Sequence, residues 1–261
     1  MIGMTKRRIL WINPVGTDRF DIPIGDYLNR VKGSGTMVDV VSLDRGPTHL
    51  NFISYEALVV PEILKKACFA ERDGYDAVIV GCFNDTGVSE ARELTNKLYV
   101  IGPGEASHKL ASVFGQRWCV LVSQEKCIPR MRNNAIRYGF GPERVIFRSL
   151  DIGVHEFQSD LGRTKEALSL AAHEAVRRDR VETIILGCTA QYGFYKELQK
   201  ELGIPVLDVA IAALKYSEFL IEIGQVTSWY HSKALSYATP PLDELSNLDV
   251  TTADNGNEHK D

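Results

Sequence analysis

The chain has 261 residues, of which 44% are hydrophobic and 25% are charged, and its formal net charge is −4 at pH 7. This length can bury the core of one large domain or of two moderate ones. The composition is that of an ordinary globular protein and gives no sign of a disordered or fibrous chain. The acidic balance argues against a nucleic-acid partner, because phosphate binding needs a concentrated basic face.

The N-terminal apolar run reaches Asn13 and Pro14 long before it attains secretory or membrane-spanning length. We therefore expect a cytoplasmic protein without a membrane partner. The sequence has five cysteines, Cys68, Cys82, Cys119, Cys127 and Cys188. An odd count without a Cys-x-x-Cys pair predicts free thiols in a reducing compartment. Scattered histidines without metal-ligand spacing predict no metal site.

Strand-like apolar runs alternate with stretches of helical spacing in the first half of the chain. The predicted strands are residues 8–12, 37–43, 76–80 and 98–102. The predicted helices are residues 24–32, 54–73, 89–97 and 104–115, with Pro61 a candidate interruption of the second.

The alternation then restarts. The predicted strands are residues 117–123, 144–151, 182–188 and 204–209. The predicted helices are residues 127–139, 164–179, 193–203 and 213–224. Such alternation favours an α/β fold with mainly parallel sheets and helices on both faces.

The segments "GCFNDTG" and "GCTAQYG" share one layout, in which a Gly-Cys pair follows an apolar run and a glycine comes five residues after the cysteine. From residue 82 to residue 188 the interval is 106 residues, and the same shift aligns the neighbouring strands and helices. A shared shift over several elements indicates a duplication. We expect two similar domains, related by a pseudo-twofold axis, with a site in the cleft between them.

The first domain is predicted over residues 1–104 and the second over residues 105–214. Residues 215–239 are expected to pack back onto the first domain. Residues 240–261 are polar and lack periodicity, and we expect them to form a flexible tail.

Cys82 and Cys188 each follow a strand, and in open parallel sheets ligands bind outside the carboxyl ends of the strands. Each cysteine precedes a helix, whose N–H groups are expected to lower the thiol pKa from about 8.5 toward roughly 3.5–7.5. Two thiols on opposite sides of one ligand can remove a proton from a carbon on one face and return one on the other. This pattern predicts a racemase or epimerase.

The carbanion intermediate also needs hydrogen-bond donors near its carbonyl oxygen. Candidate donors are the backbone amides after each cysteine and the side chains of Asn84, Thr86 and Thr189. Asn13, Thr17 and Ser123 lie at equivalent strand ends and are further candidates for substrate binding, and Phe83 could form an apolar wall. For Tyr55 and Glu56 we favour a role at a helix start over a place in the cleft.

The segments "INPVGT", "GCFNDTG", "VIGPGEASHKLAS", "IILGCTAQYG" and "GIPVLD" resemble the aspartate/glutamate/hydantoin racemase superfamily, most closely its hydantoin racemase branch. The resemblance covers nearly all of residues 8–222. It implies stereoinversion without a cofactor by paired catalytic cysteines, which here are Cys82 and Cys188. It also makes a homo-oligomer plausible.

Glutamate-type members of this superfamily carry Asn after the first cysteine and His soon after the second, where this chain has Phe83 and Ala190. We therefore predict a cyclic ureide, such as a 5-substituted hydantoin or allantoin, rather than a free amino acid. Two alternatives stay open: a decarboxylase or cis-trans isomerase of the same superfamily with one essential cysteine, and a non-catalytic two-domain small-molecule binding protein. Cys68, Cys119 and Cys127 are assigned to the core.

Overall fold

The computed structural model describes residues 6–246 and contains two four-stranded parallel sheets. The first sheet consists of β1 (Arg7–Asn13), β2 (Thr36–Ser42), β3 (Ala77–Val80) and β4 (Tyr99–Ile101). The second consists of β5 (Trp118–Val122), β6 (Val145–Ser149), β7 (Thr183–Leu186) and β8 (Val206–Asp208). The strand orders are β2-β1-β3-β4 and β6-β5-β7-β8, so the two sheets have the same topology. The predicted fold class is confirmed.

Helices connect the strands and cover both faces of each sheet. In the first half they are α1 (Asp21–Val31), α2 (Ile53–Arg72), α3 (Val88–Leu94) and α4 (Pro103–Phe114). The later helices are α5 (Ile128–Arg137), α6 (Leu161–Asp179), α7 (Tyr195–Leu202), α8 (Val209–Thr227) and α9 (Leu242–Ser246). Pro61 lies inside α2 without interrupting it. Pro61 and Ala57 are both exposed, so water can reach the Ala57 carbonyl that loses its helical partner.

Strands β3, β5 and β7 are buried along their whole length, and β1 is buried from Ile9 onward, as expected for sheets covered on both faces. Side chains of β1 and β3 point alternately into two cores, one shared with α1 and α8 and the other with α2 and α3. The second sheet is likewise enclosed between α6 with α7 on one face and α4 with α5 on the other.

The internal repeat extends to the pairing of the strands. Val78 pairs with Val100 in the first sheet, and Ile184 pairs with Val206 in the second. From 78 to 184 and from 100 to 206 the interval is again 106 residues. The repeat therefore places the carboxyl ends of β3 and β7, and with them the two Gly-Cys pairs, at matching positions of two similar sheets.

The C-terminal part of the described chain contacts the first sheet. Helix α8 packs against β3, β4 and α4, and the backbone carbonyl of Trp229 accepts a hydrogen bond from Tyr99 Oη at 2.6 Å. The domain boundaries at residues 104 and 214 stay a prediction. Of the predicted flexible tail, residues 240–246 contain α9, and residues 247–261 lie outside the described residues. Between residues 6 and 246 no helix has the length and apolarity needed to cross a membrane.

Candidate active site

Cys82 and Cys188 have the same backbone surroundings at the ends of β3 and β7. The carbonyl of Cys82 accepts from the N–H of Asp85 at 3.0 Å, and that of Cys188 accepts from the N–H of Gln191 at 2.9 Å. Each sulfur also accepts a hydrogen bond from the backbone N–H two residues further along the chain, that of Asn84 or Ala190. The duplicated sequence thus builds two equivalent thiol sites.

Both thiols line one cavity that is open to solvent and receives residues from both halves of the chain; its empty space, with the solvent at its opening included, is about 780 Å³. Its wall is largely apolar. The apolar and aromatic side chains in the wall include Trp11, Val15, Phe20, Ile24, Leu50, Phe83, Met131, Val154 and Tyr192. The polar ones are Asn13, Thr48, His49, Asn51, Asn84, Ser123 and Thr189. Within residues 6–246, the residues that line this cavity include no Lys, Arg, Asp or Glu.

The structure brings most of the predicted site residues together. Cys82, Cys188, Asn13, Phe83, Asn84, Ser123 and Thr189 all line the cavity, whereas Thr17 and Thr86 are not among the lining residues. The carbonyl of Thr17, in the turn after β1, accepts a hydrogen bond of 2.7 Å from the hydroxyl of Ser42 at the end of β2. Thr86 is buried behind the cavity, with its hydroxyl 4.0 Å from the sulfur of Cys82.

Thr189 joins the two halves at the site. Its hydroxyl donates a hydrogen bond of 3.0 Å to the carbonyl of Gly81. Thr189 follows Cys188 and Gly81 precedes Cys82, so one hydrogen bond couples the two loops that carry the thiols. This contact fixes the position of one thiol relative to the other.

The expectation of lowered thiol pKa values is wrong. Burial raises the pKa of Cys188 to about 11 and raises that of Cys82 further, with the Glu56 carboxylate adding to the increase at Cys82. The N–H groups of Asn84 and Ala190 offset part of the burial effect. Helix α3 begins only at Val88, too far from Cys82 for its dipole to act strongly. Both thiols are therefore protonated near neutral pH.

A polar network lies next to Cys82. Glu56 at the start of α2 forms an ion pair of 2.8 Å with Arg130 of α5, and the same Glu56 oxygen accepts from the side-chain amide of Asn84. Asn134 donates to the backbone carbonyl of Asn84 at 2.8 Å. Burial raises the pKa of Glu56, and the Arg130 charge and the Asn84 amide oppose that increase.

Asp85 anchors the Cys82 loop to the start of α4. Its carboxylate accepts from the N–H groups of Gly104 and Glu105 at 2.8 and 2.7 Å and from Tyr138 Oη at 2.6 Å. Burial raises the pKa of Asp85 to about 6, against the effect of these donors. A Cβ atom at Gly102 would overlap the Asp85 carboxyl group. The "GPGE" segment, residues 102–105, thus supplies the N–H groups that Asp85 caps and leaves room for the Asp85 carboxyl group. The spacing of its two glycines fits no phosphate-binding motif.

Aromatic and imidazole rings meet at the cavity mouth. The His155 ring stacks on Phe20 with a centroid distance of 5.9 Å, and its edge contacts His49 at the same distance. Arg19 and Thr48 each lie 3.2 Å from a ring nitrogen of His155. Burial and the neighbouring Arg19 and His49 lower the pKa of His155. Loops of the two halves therefore touch at the entrance as well as at the thiols.

Several site residues were missed at the sequence level. His49 and Asn51 lie just before α2, in the loop after β2, whose carboxyl end faces the same side as that of β1. The rule that ligands bind outside the carboxyl ends of parallel strands, applied to every strand, could have identified both residues. Cys127 lines the cavity besides packing in the core, and Glu56 contacts Asn84 instead of acting only at a helix start. No sequence signal identifies Arg130 as the partner of Glu56.

In residues 6–246 no three His, Cys, Asp or Glu side chains are grouped as metal ligands.

Three comparisons with known proteins identify the class of protein to which this chain belongs. The Asp/Glu/Hydantoin racemase family model matches residues 9–216, most of the chain. This chain therefore belongs to the Asp/Glu/hydantoin racemase family, and it is an isomerase of the racemase type that acts on a small molecule.

Individual relatives agree with this assignment. The hydantoin racemase of Paenarthrobacter aurescens is 32% identical over 238 residues, which cover 89% of this chain and 97% of the relative. The hydantoin racemase of Pseudomonas sp. (strain NS671) is 31% identical over 221 residues, 85% of this chain and 88% of the relative. Among solved structures, allantoin racemase from Klebsiella pneumoniae superposes with a TM-score of 0.84 at 26% identity, covering 90% of this chain and 94% of that one.

Proposed function

We propose that this protein is a cofactor-independent racemase that inverts a stereocentre next to a carbonyl group, with Cys82 and Cys188 as the two acid/base catalysts. The observation that carries the proposal is the placement of both thiols in one cavity, each at the end of an equivalent strand and each with a backbone N–H on its sulfur. A thiol that only fills space in the core needs neither a second thiol in the same cavity nor a matching backbone N–H on its sulfur.

In the proposed reaction one cysteine acts as thiolate and the other as thiol. The thiolate takes the proton from the substrate carbon, and the electron pair of the C–H bond delocalises onto the adjacent carbonyl oxygen. The opposite thiol then gives its proton to the other face of the same carbon and becomes the thiolate. Because the pKa of Cys188 is raised less than that of Cys82, the more populated of the two singly ionised forms has a Cys188 thiolate and a Cys82 thiol.

The oxygen that gains charge needs hydrogen-bond donors in the cavity. We assign this role to the Ser123 hydroxyl and the Asn13 amide, which lie at the ends of β5 and β1. The Asn13 amide is held in place, since its nitrogen donates to Asp21 at 2.6 Å and its oxygen accepts from Trp11 Nε1 at 2.7 Å. Thr189, whose hydroxyl donates to Gly81, acts by aligning the loops.

The cavity wall favours an uncharged substrate. A free amino acid or a dicarboxylate would bring formal charges against lining residues that include no Lys, Arg, Asp or Glu to pair with them. A cyclic ureide is neutral, and its acidic C–H lies beside a carbonyl group. Together with the hydantoin and allantoin racemases among the relatives, this supports a 5-substituted hydantoin or allantoin as the substrate.

Replacement of either thiol tests the proposal. We expect Cys82→Ser and Cys188→Ser each to reduce racemisation of a single-enantiomer hydantoin, followed by polarimetry, by about 10²–10⁴-fold, the usual contribution of a positioned acid or base. Cys68→Ser is the matched control, because Cys68 lies on α2 away from the cavity and should leave the rate unchanged. Wild-type racemisation by either Cys82→Ser or Cys188→Ser would instead favour an enzyme with one essential cysteine.

A further inference from the structure

Asn84 carries an unused hydrogen-bond acceptor in its side chain. The residue is only 9% exposed, and it lines the cavity beside Cys82. Within the described part of the chain, its side-chain oxygen Oδ1 is buried and has no hydrogen-bond partner. A buried carbonyl oxygen without a partner is unfavourable, and in folded proteins such an atom calls for an explanation.

Glu56 determines which end of the Asn84 amide is left free. The amide nitrogen donates to Glu56 Oε1, so the oxygen points elsewhere. The flipped amide would place its oxygen against the carboxylate, with two acceptors facing each other. Arg130 donates to the same Glu56 oxygen at 2.8 Å and thereby stabilises the carboxylate as an acceptor.

The backbone of Asn84 is fixed as firmly as its side chain. Its N–H donates to the sulfur of Cys82, and its carbonyl accepts from Asn134 at 2.8 Å. The amide therefore belongs to a residue whose backbone is fixed beside the sulfur that exchanges a proton with the substrate. A group that binds Oδ1 must be a donor, and it must belong to the part of the substrate near the reacting carbon.

We propose that Asn84 Oδ1 accepts a hydrogen bond from the substrate N–H adjacent to the reacting carbon, and that Glu56 and Arg130 position the amide for this contact. This inference rests on the proposed function and narrows its substrate class to rings with an N–H at that position. In an analogue with a ring oxygen in place of this N–H, a lone pair of the ring oxygen would face Oδ1, and no hydrogen bond could form. Asn84 is thus a specificity-determining residue, and Glu56 is a positioning residue.

The test combines two substrates with two proteins. The substrates are 5-benzylhydantoin and 5-benzyloxazolidine-2,4-dione, which differ by a ring N–H and a ring oxygen without added bulk. Exchange of the C5 hydrogen in D2O, followed by NMR with the uncatalysed rate subtracted, gives kcat and KM for the wild type and for Asn84→Ala. For each substrate, kcat/KM of the wild type is divided by kcat/KM of Asn84→Ala, and the two quotients are then compared. The different intrinsic acidities of the two rings cancel in this comparison.

We expect Asn84→Ala to reduce kcat/KM for the hydantoin by about tenfold, while the rate for the oxazolidinedione changes less than about twofold. Asn133→Ala is the matched control, because Asn133 lies exposed on α5 and does not line the cavity. It should leave both rates unchanged. An equal loss for both substrates in Asn84→Ala would overturn the inference.

Glu56→Gln supplies a second variant that keeps Asn84 in place, in case Asn84→Ala folds poorly. A glutamine can face either end of the Asn84 amide, so the orientation of Oδ1 is no longer enforced. We expect the preference for the hydantoin over the oxazolidinedione to fall at least about threefold, mainly through KM for the hydantoin. A preference identical to that of the wild type would contradict the positioning role.

The outcomes separate this inference from the function on which it rests. If the wild type exchanges C5 of the hydantoin and the substrate preference survives in both variants, only the role of Asn84 fails. If the wild type exchanges neither substrate, the proposed function fails and the inference fails with it.

Discussion

The ionisation of Cys188 can be tested without a substrate. A pKa of about 11 leaves about one Cys188 in a thousand as thiolate at pH 8, whereas an ordinary thiol with a pKa of about 8.5 is roughly one quarter ionised. Because only the thiolate reacts with iodoacetamide, ionisation alone makes Cys188 about 250-fold slower than a free thiol at this pH. The rate should rise about tenfold per pH unit from pH 7 to pH 10.

Timed alkylation followed by mass spectrometry of the peptide that contains Cys188 gives this profile, with a short unstructured peptide that carries one internal cysteine as the free-thiol reference. The slope with pH separates ionisation from access, because restricted access lowers the rate equally at every pH. A rate that levels off below pH 9 would refute the conclusion that burial outweighs the backbone N–H contact at this thiol.

Two further predictions concern groups next to the cavity. Glu56→Gln removes the carboxylate charge that raises the pKa of Cys82, so alkylation of Cys82 at pH 9 should accelerate severalfold. The alkylation rate of Cys188 should change little. An unchanged rate at Cys82 would count against this electrostatic coupling. His108 is buried and neutral with its pKa lowered from 6.5 to about 3, so protonation of the unfolded chain should reduce the free energy of unfolding as pH falls below 6.5. Between pH 7 and pH 4.5, urea unfolding of the wild type should show a decrease in the free energy of unfolding of about 2–3 kcal/mol from this source. His108→Gln, which keeps an acceptor for Trp118 Nε1, should lack this contribution. Equal decreases in both proteins would contradict the conclusion that His108 is buried and neutral.

The fold was predictable because its determinants are local and repeated. Continuous apolar runs such as residues 77–80 and 184–186 mark strands that are covered on both faces, and the constant interval of 106 residues between the two halves reveals the duplication. The same logic located Cys82 and Cys188, since the end of a strand can be identified from its own sequence.

The electrostatics of the site could not be obtained in this way. The pKa of each thiol depends on burial and on charges from distant segments, as with Glu56, which lies 26 residues before Cys82 in the chain. The ion pair of Glu56 with Arg130 joins helices from the two halves, and nothing in either helix specifies the other. Likewise, the free end of the Asn84 amide is determined by a contact that only the folded chain creates.

Proton transfer by two thiols on opposite faces of one carbon is tested most directly by racemisation of a single enantiomer of a 5-substituted hydantoin in D2O, stopped while little product has formed. Chiral separation and mass spectrometry then give the deuterium content of each enantiomer. A two-thiol mechanism gives a product that carries solvent deuterium while the recovered starting enantiomer keeps its hydrogen, because one cysteine removes the proton and the other supplies deuterium. Deuterium appearing equally fast in both enantiomers would indicate a single base and would contradict the paired roles of Cys82 and Cys188.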